Sequence, residues 1–239
     1  LNNLDEKDLQ ITIASKDANI FLRESSGFDY IDIDPFGSPN PFLDAAIDKI
    51  ARAGILAVTA TDTAPLCGTY FDACKRKYWA QPLHNYLMHE IGLRILIRKV
   101  QLVGVQYEKA LTPIYSYSKD HYFRIFFICE KRKKQCDEII KQHQYVLYCI
   151  TCMTTVSSIH NHGTCPSCRK PFIHAGKLWT GALWDVKLAE KIAKINLENG
   201  NKKNQRFLDM IALESHLPFI GFYDIHALAK KYKLTVPNF

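Results

Sequence analysis

The chain has 239 residues, of which 47% are hydrophobic and 23% are charged, and its formal net charge is +7. This balance excludes a disordered chain, because the apolar side chains suffice for one large or two modest cores. No apolar run approaches the roughly 20 residues that cross a bilayer and the first ten residues lack a signal-peptide profile, so we expect a cytoplasmic protein, or a nuclear or mitochondrial one in a eukaryote.

Charge is distributed unevenly along the chain. Residues 1–128 contain 14 Lys/Arg and 15 Asp/Glu, whereas residues 129–239 contain 17 and 9. We therefore expect two domains, residues 1–130 and a basic domain of residues 131–239. A basic surface attracts nucleic acid because Lys and Arg release counterions from phosphates. A basic surface that only maintains solubility is the alternative interpretation.

The first half shows alternating strand and helix patterns. Residues 9–14 and 28–34 are apolar, β-branched and bounded by polar turns, which is typical of short buried strands. Apolar side chains at helical spacing predict a helix over residues 41–53 that Gly54 ends, followed by a strand over residues 55–60. Such a βαβ unit predicts an α/β domain with a parallel sheet.

Further elements follow along the chain. Residues 15–27 are long enough for a loop and a short helix, residues 84–99 form a long helical pattern, and residues 100–107 and 122–130 are predicted as closing strands. In the second half, a compact cysteine-rich hairpin unit is predicted over residues 145–172. Helices are predicted over residues 131–142, 183–199, 207–214 and 223–232.

Four cysteines have the spacing of a metal site. Cys149 and Cys152 form one CxxC motif, Cys165 and Cys168 form a second, and twelve residues separate the two. Each motif turns two thiolates to one side of a tight loop, so the pair supplies the four ligands of a tetrahedral zinc site. An iron site and redox-active CxxC pairs are the alternatives, but the hairpin context and Pro166 favour structural zinc.

The remaining cysteines and the nearby histidines carry no such pattern. The cysteines outside the motifs show no disulfide framework, which favours a reducing compartment; they are Cys67, Cys74, Cys129 and Cys136. We expect the three histidines around the motifs to be ordinary surface or loop residues: His160, His162 and His174.

The segment from Asp34 to Gly37 follows a predicted parallel strand, the end at which open α/β sheets bind ligands. An acid-Pro-aromatic loop suits methylation of an exocyclic amine, whose lone pair is delocalised into a ring. The Asp34 carboxylate and the Pro35 carbonyl would accept the two N–H groups and favour a pyramidal nitrogen. Phe36 offers a stacking face for an extruded base, and Gly37 allows its close approach.

A purely structural interpretation of this segment is also open. It treats the loop as a Pro-Gly turn in which Asp34 caps the following helix. Asp32, which points to the opposite face of the strand from its neighbours, is expected to be structural.

Several longer segments, which together cover nearly the whole chain, resemble one protein family. They are FDYIDIDPFGSPNPFLDAAI, GILAVTATDTAPLCGTY, HEIGLRILI, LTPIYSYSKDHYFRIFF, the four-cysteine hairpin, GKLWTGALWD and GFYDIHALAKK. Through these segments the chain resembles the tRNA (guanine-26-N2)-dimethyltransferase family. The resemblance implies a Rossmann-like class I methyltransferase domain with a partial parallel sheet, followed by an α+β domain that contains a zinc ribbon over residues 145–172. It also implies S-adenosylmethionine as the methyl donor and methylation of tRNA at guanine N2, with tRNA as the partner. The sequence itself predicts neither a membrane contact nor an obligate protein partner.

The resemblance also implies roles for individual residues. Asp17 and Ala18 match the contact to the adenine of the methyl donor, although Asp17 is otherwise an ordinary loop acid. Thr59, Thr61 and Asp62 would line the guanine pocket, and hydrogen bonding within their own loop is the alternative.

Two further groups of residues match the family. His89, Glu90 and Arg94 lie on a family helix, in which we expect a Glu90–Arg94 salt bridge. The resemblance assigns no role to a second group: Asp120, His121 and Arg124.

Family members extend beyond both ends of this chain, which begins with Leu1, so we expect a fragment without the glycine loop that binds the methyl donor. We expect such a fragment to bind the methyl donor weakly or to fold less stably alone, because it lacks strands that its parallel sheet should pair with. Two other functions stay open: an amino-methyltransferase acting on DNA adenine or cytosine, and a non-catalytic RNA-binding module built on the zinc ribbon.

Overall fold

The computed structural model describes residues 11–217 and 219–235. Its strands are β1 Phe28–Ile33, β2 Ile50–Ala60, β3 Lys109–Lys119, β4 Tyr122–Lys131, β5 His143–Tyr148, β6 Thr155–Ser158 and β7 Ile173–Trp179. Its helices are α1 Ala18–Glu24, α2 Asn40–Lys49, α3 Thr63–Leu66, α4 Phe71–Tyr78, α5 Met88–Gln106, α6 Lys133–Lys141, α7 Val186–Glu198, α8 Lys202–Glu214 and α9 Ile225–Tyr232. The predicted βαβ unit is confirmed as β1-α2-β2.

The main sheet is mixed and has the strand order β1-β2-β4-β3. Only β1 and β2 are parallel, whereas β4 is antiparallel to both β2 and β3. The parallel pair brings the ends of β1 and β2 to one edge of the sheet. The turn between β3 and β4 lies at the same edge, because Ala60 at the end of β2 pairs with Phe123 at the start of β4.

One face of this sheet is covered by α2 and α5. Leu56 and Phe127 from the sheet and Ile47 and Leu96 from these helices are fully buried in one core. Full burial of each such side chain stabilises the fold by about 1.5 to 3 kcal/mol. Apolar residues surround most of α5, because its other side packs against β7.

The second face is covered only in part. The α7–α8 hairpin packs its Ala189 and Ile211 against Tyr115 and Phe126 of β3 and β4. Tyr30, on β1, stays half exposed. The β1 side of this face is therefore open within the described residues.

A second, smaller sheet has the order β6-β5-β7 and is antiparallel throughout. Its buried Ala175 and Leu178 belong to the same continuous core as the main sheet. The predicted domain boundary at residue 130 falls one residue before the end of β4, and it stays a prediction. In the part of the chain that the structure describes, no helix is long and apolar enough to span a bilayer.

The predicted strand over residues 100–107 is wrong. Helix α5 continues through this segment to Gln106, and β3 begins only at Lys109, after Glu108 reverses the chain with a φ of 55°. Val100 and Val103 are β-branched, which favours a strand in isolation. Their packing against the core outweighs that preference.

The predicted helix stop at Gly54 is also wrong. Helix α2 ends at Lys49, where the Lys109 ammonium donates hydrogen bonds to the carbonyls of Ile47, Asp48 and Ile50. Gly54 instead lies within β2, where a Cβ would meet the carbonyl oxygens of Ala51 in the same strand and of Asp29 in β1, both at 3.0 Å. This glycine therefore allows a close backbone approach.

The strand predicted over residues 9–14 is not present in residues 11–14, and residues 9 and 10 lie outside the described residues. Ile11 and Ile13 are 80% and 92% exposed, and they pair with no strand. A strand needs a neighbour for its backbone hydrogen bonds. Apolar pattern alone therefore did not suffice here.

Candidate active site and cysteine cluster

The loop after β1 presents two side chains to solvent. Phe36 is fully exposed at 107%, and the Asp34 carboxylate is exposed and has no hydrogen-bond partner within residues 11–217 and 219–235. Gly37 has a φ of 96°, a left-handed conformation that favours glycine. Pro39 is the N-cap of α2, which has no side-chain cap. The interpretation of Asp34 as a helix cap is therefore wrong.

Reciprocal hydrogen bonds hold this loop against the loop that follows β2. The Gly37 N–H donates to Thr61 Oγ1 at 2.6 Å, and the Thr61 N–H donates to the Gly37 carbonyl at 3.0 Å. Each such bond contributes about 0.5 to 1.5 kcal/mol net. Thr61 thus bonds to the loop after β1, not within its own loop as the structural alternative had it, and it fixes the backbone next to Phe36.

Asp62 is fixed from a different element. The Tyr78 hydroxyl donates to Asp62 Oδ1 at 2.6 Å and lies 3.0 Å from Ser38 Oγ, while Lys77 Nζ is 3.1 Å from Asp62 Oδ2. Burial raises the pKa of Tyr78, so the phenol keeps its proton and remains a donor. Helix α4 therefore forms hydrogen bonds with both the loop after β1 and the loop after β2.

A polar network crosses three strands beneath the loop. Arg124 Nη1 and Nη2 donate to the two carboxylate oxygens of Asp32 at 2.7 and 2.6 Å, and Nη1 also donates to Thr59 Oγ1 at 2.6 Å. These hydrogen bonds from Arg124 lower the pKa of Asp32, and the Tyr30 hydroxyl adds another. Asp32 therefore pairs with Arg124 and is structural, as expected. Thr59 is buried and its hydroxyl belongs to this network.

A cavity of about 410 Å³ lies between α1 and β1. Its lining includes Ala18, Tyr30, Asp34 and Pro35. Asp17 stands at the start of α1, where its Oδ1 accepts the N–H groups of residues 19 and 20 at 3.0 Å. The structure thus brings Ala18 together with Asp34 and Pro35. The other predicted substrate residues lie outside the lining of this cavity: Phe36, Gly37, Thr59, Thr61 and Asp62.

The four predicted metal ligands lie together. The sulfur atoms of Cys149, Cys152, Cys165 and Cys168 are all within 4.8 Å of one another, and within the described residues no other group of three or more Cys, His, Asp or Glu side chains is arranged to hold a metal ion. Four thiolates at this separation suit the tetrahedral coordination of zinc, in which metal–sulfur bonds are about 2.3 Å.

The two motifs share one backbone conformation. In the first, the Met153 N–H donates to the Cys149 carbonyl at 2.8 Å and Met153 has a φ of 62°. In the second, the Arg169 N–H donates to the Cys165 carbonyl at 2.9 Å and Arg169 has a φ of 61°. Each tight turn directs both of its thiols inward. The metal-site geometry therefore follows from local sequence spacing.

The histidines near this cluster contribute no ligand within the described residues. His160 and His162 are exposed, and the His174 ring packs edge-on against Tyr145 at 5.8 Å. This agrees with the roles expected of His160 and His162, whereas His174 is half-buried within β7 and is not a loop residue.

The predicted Glu90–Arg94 salt bridge is confirmed, with 2.8 Å between Nε and Oε1. Arg94 is buried, and its Nη1 also donates to the carbonyls of Trp179 and Gly181, while Glu90 accepts the N–H of Gly221. The pair therefore joins α5 to the segment after β7. Sequence reasoning missed these carbonyl partners, as it missed Tyr78, because no local spacing rule connects residues so far apart.

Comparison with known proteins shows which family this chain resembles along its whole length. The chain matches the family model described as N2,N2-dimethylguanosine tRNA methyltransferase over residues 1–239. It is 43% identical over 243 residues to a tRNA (guanine(26)-N(2)/guanine(27)-N(2))-dimethyltransferase of Aquifex aeolicus, a match covering 98% of this chain and 61% of the relative. It is 39% identical over 249 residues to a tRNA (guanine(26)-N(2))-dimethyltransferase of Methanobrevibacter smithii, covering 100% and 62%.

A solved structure agrees with these relatives. It is described as Trm1 from Pyrococcus horikoshii in complex with S-adenosyl-L-methionine, has a TM-score of 0.79 and 36% identity, and is matched over 91% of this chain and 58% of its own. The chain thus spans about three fifths of the length of these relatives. The predicted α/β methyltransferase fold and the family resemblance are both confirmed, and the chain belongs to the N2,N2-dimethylguanosine tRNA methyltransferase family.

Proposed function

We propose that this chain carries the reactive loop of a methyltransferase that converts guanosine 26 of tRNA to N2-methyl- and N2,N2-dimethylguanosine, with S-adenosylmethionine as the methyl donor. The observation that carries the proposal is the loop from Asp34 to Gly37. It combines a free carboxylate with a fully exposed aromatic ring, and hydrogen bonds to Thr61 hold its backbone. Family membership supports the same chemistry.

The loop residues have distinct roles in this proposal. The Asp34 carboxylate and the Pro35 carbonyl accept hydrogen bonds from the two N–H groups of the guanine amine. This arrangement favours a pyramidal nitrogen with an available lone pair, and preorganised acceptors are most effective as positive charge develops there. Phe36 stacks on the extruded guanine, as enzymes that modify bases commonly require. Gly37 gives the base space, since nothing lies within 4 Å of its hypothetical Cβ.

The methyl donor would occupy the cavity between α1 and β1. That cavity has a largely apolar wall, and its lining includes both Ala18 and Asp34, which fits an adenosine carrying a cationic sulfonium. The Ala18 backbone and the Asp17 carboxylate, whose Oδ2 is not used in capping α1, would meet the adenine. When bound, S-adenosylmethionine supplies an electrophilic methyl group.

The second strand-end loop would support the guanine pocket. Thr61 and Asp62 hold the reactive loop and α4 in place, and Thr59 joins the Arg124 network behind it. We propose that these residues position the pocket wall. These residues are engaged in hydrogen bonds within the protein, whereas the Asp34 carboxylate has no hydrogen-bond partner within the described residues and stays available to the substrate.

We propose that the cysteine cluster binds one structural zinc ion. Its four thiols are close enough for a single metal, and four ligands complete a closed site with no open position for catalysis. We also keep the two-domain division at residue 130 as part of this proposal. The basic second domain would contact tRNA phosphates, for example through the exposed cluster of residues 131–134.

A second candidate function is RNA binding without catalysis. It is favoured because the cavity proposed for the methyl donor borders an unpaired sheet edge. The outer edge of β1 pairs with no strand in the described ranges. Calorimetry with S-adenosylmethionine separates the two functions. Binding supports the methyltransferase, and absence of binding supports the RNA-binding module.

The activity can be tested with three substrates and a labelled methyl donor. These are a tRNA transcript with guanosine at position 26, the same transcript with adenosine there, and a DNA duplex. We expect N2-methylated guanosine, identified by mass spectrometry of nucleosides, from the first substrate only. Methylation of the DNA duplex alone would instead indicate a DNA amino-methyltransferase. Methylation of none of the three substrates would contradict the proposal.

A further inference from the structure

A second cavity, of about 480 Å³, lies between β3–β4 and the α7–α8 hairpin. Its volume is in the range of small-molecule binding sites. Lys119 and Asn204 contribute polar groups to its lining, and the rest of its wall is aromatic and aliphatic. The aromatic residues are Tyr115, Tyr117, Tyr122, Phe126 and Phe207.

The wall of this cavity contains an unsatisfied hydroxyl group. Tyr115 is only 6% exposed, yet its hydroxyl has no hydrogen-bond partner in the part of the chain that the structure describes. Buried polar groups in native proteins are nearly always paired, so such a group calls for an explanation. Burial raises the pKa of Tyr115 to about 12, which keeps the hydroxyl protonated and able to donate.

The other aromatic rings pack edge-on around Tyr117, without face-to-face stacking between them. Tyr117 meets Tyr122 and Phe207 edge-on, with ring centroids 6.1 and 5.6 Å apart. The Lys119 ammonium lies 5.6 Å from the Phe207 centroid. Three exposed cations follow at the start of α8: Lys202, Lys203 and Arg206. Aromatic faces bordered by cations form the usual combination for binding unpaired bases and their phosphates.

The cavity shares a sheet face with the candidate active site. Thr59 pairs with Arg124, and Arg124 pairs with Tyr117, so these residues form one row across β2, β4 and β3. Asp34 follows Ile33, which pairs with Val58, and it therefore extends this row beyond β1. Neighbouring strands are about 4.8 Å apart, which places the Asp34 and Tyr117 backbones about 14 Å from each other. A tRNA that delivers one base to Asp34 can place another nucleotide at this distance.

We propose that this cavity binds a second, unpaired nucleobase of the tRNA, with the Tyr115 hydroxyl as a hydrogen-bond donor and Phe207 as a stacking face. This inference rests on the proposed function. It adds a site that reads or anchors a nucleotide other than the methylated one. The bound base satisfies the Tyr115 hydroxyl, and Lys119 meets the adjoining phosphate.

The test compares tRNA affinity among three variants of the chain. Tyr115→Phe removes only the hydroxyl, and we expect affinity to fall about threefold to tenfold, as for one neutral hydrogen bond. Phe207→Leu keeps an apolar contact but loses the stacking face, and we expect a fall of about tenfold or more. Ser116→Ala is the matched control, since this neighbouring hydroxyl is also buried and unpartnered but lies on the opposite face of the strand.

Fluorescence anisotropy with labelled tRNA gives the affinities, and thermal unfolding checks each fold. Tyr115→Phe should not lower the unfolding temperature, because the lost hydroxyl has no protein partner. Ultraviolet crosslinking should join the peptide containing Tyr117 or Phe207 to one nucleotide of the tRNA. Unchanged affinity in both cavity variants, with normal binding by the unmodified chain, contradicts this inference alone. An equal loss in Ser116→Ala also overturns it, and absence of tRNA binding by the unmodified chain contradicts the proposed function as well.

Discussion

The reactive loop and the cysteine cluster are held together in different ways. Each cysteine motif is closed by backbone hydrogen bonds between residues four or five positions apart, such as the Met153 N–H to the Cys149 carbonyl. The reactive loop is instead fixed by Thr61, which lies 24 positions from Gly37, and by Tyr78, which lies 40 positions from Ser38. Local spacing therefore defines the cluster, whereas the tertiary fold defines the loop.

This difference predicts how the two regions respond to damage. Without its metal the cluster has little apolar core of its own, so it depends on one ion. The loop depends on several weak contacts, each of which can be removed at small cost. Loss of a single loop contact should thus impair reaction geometry more than stability.

Removal of zinc should have the largest effect on stability. Chelation leaves the four thiolates without their metal ion. We expect the cysteine-rich hairpin of residues 145–172 to unfold, because structural zinc binding contributes about 10 to 16 kcal/mol in isolated zinc-binding peptides at pH 7. Elemental analysis and calorimetry check this. Cys168→Ser should reproduce this unfolding, whereas Cys136→Ser on α6 should leave the zinc content unchanged. Stable protein without stoichiometric zinc would show that the cluster needs no metal.

Disruption of the Glu90–Arg94 pair should have the next largest effect. Arg94→Met leaves a largely buried carboxylate without its cation and removes the donor to two carbonyls, so we expect a loss of about 3 kcal/mol. Urea unfolding measures it. The control is Lys141→Met, which breaks the exposed pair with Glu138 and should change stability little. Equal effects of the two variants would mean that α5 does not anchor the segment after β7.

Acid should weaken the contact between α5 and β5. His143 is buried beside Gln101, with 2.9 Å between Nε2 and Oε1, and burial lowers its pKa to about 3. The unfolded chain binds a proton below about pH 6.5 while the folded chain does not, so stability falls as the pH falls through the window from 6.5 toward 3. From pH 7 to 5 this amounts to about 2 kcal/mol.

Urea unfolding at pH 7 and pH 5 tests this dependence. His143→Phe should remove most of the difference between the two pH values, whereas His160→Gln, which changes an exposed histidine, should preserve it. An undiminished difference in His143→Phe would assign the acid sensitivity to other groups.

The smallest expected effect on stability concerns the loop. Thr61→Val removes the acceptor for the Gly37 N–H, and we expect a loss of about 1 kcal/mol. We also expect the methylation rate to fall about tenfold, because small displacements of a reacting group reduce rates strongly. Thr180→Val is the matched control, since it removes one hydrogen bond, to the Gln142 carbonyl, far along the chain from the loop. If both variants keep the full methylation rate, the hydrogen bond between Thr61 and Gly37 contributes only to stability.

The same contrast explains what could be predicted from sequence. The cysteine cluster, β1 and the Glu90–Arg94 pair depend on residues close together in the chain, and spacing revealed all three. The end of α2 could not be predicted, because the cation that binds its last carbonyls comes from the distant Lys109. The strand predicted over residues 100–107 was wrong for a similar reason, since packing of α5 outweighs β propensity there.

Within the candidate site, sequence identified the reactive loop but not its supports. The family resemblance pointed to Asp62 and Arg124 without giving their partners. The structure supplies Tyr78 for the first and Asp32 with Thr59 for the second. These contacts join separate strands and helices, and only the folded chain brings them together.

The single-turnover methylation rate of Asp34→Asn, measured with its affinity for S-adenosylmethionine, tests the proposed role of the loop most directly. Asparagine nearly preserves size but replaces the carboxylate with a group that presents its own N–H to the amine. We predict a rate about 100-fold to 1000-fold lower, as for loss of one preorganised hydrogen bond, with nearly constant affinity for the methyl donor. Phe36→Ala serves as the comparison and should weaken tRNA binding as well, since stacking contributes about 1 to 3 kcal/mol per base. A nearly normal rate in correctly folded Asp34→Asn would contradict the assignment of Asp34 as the acceptor for the guanine amine.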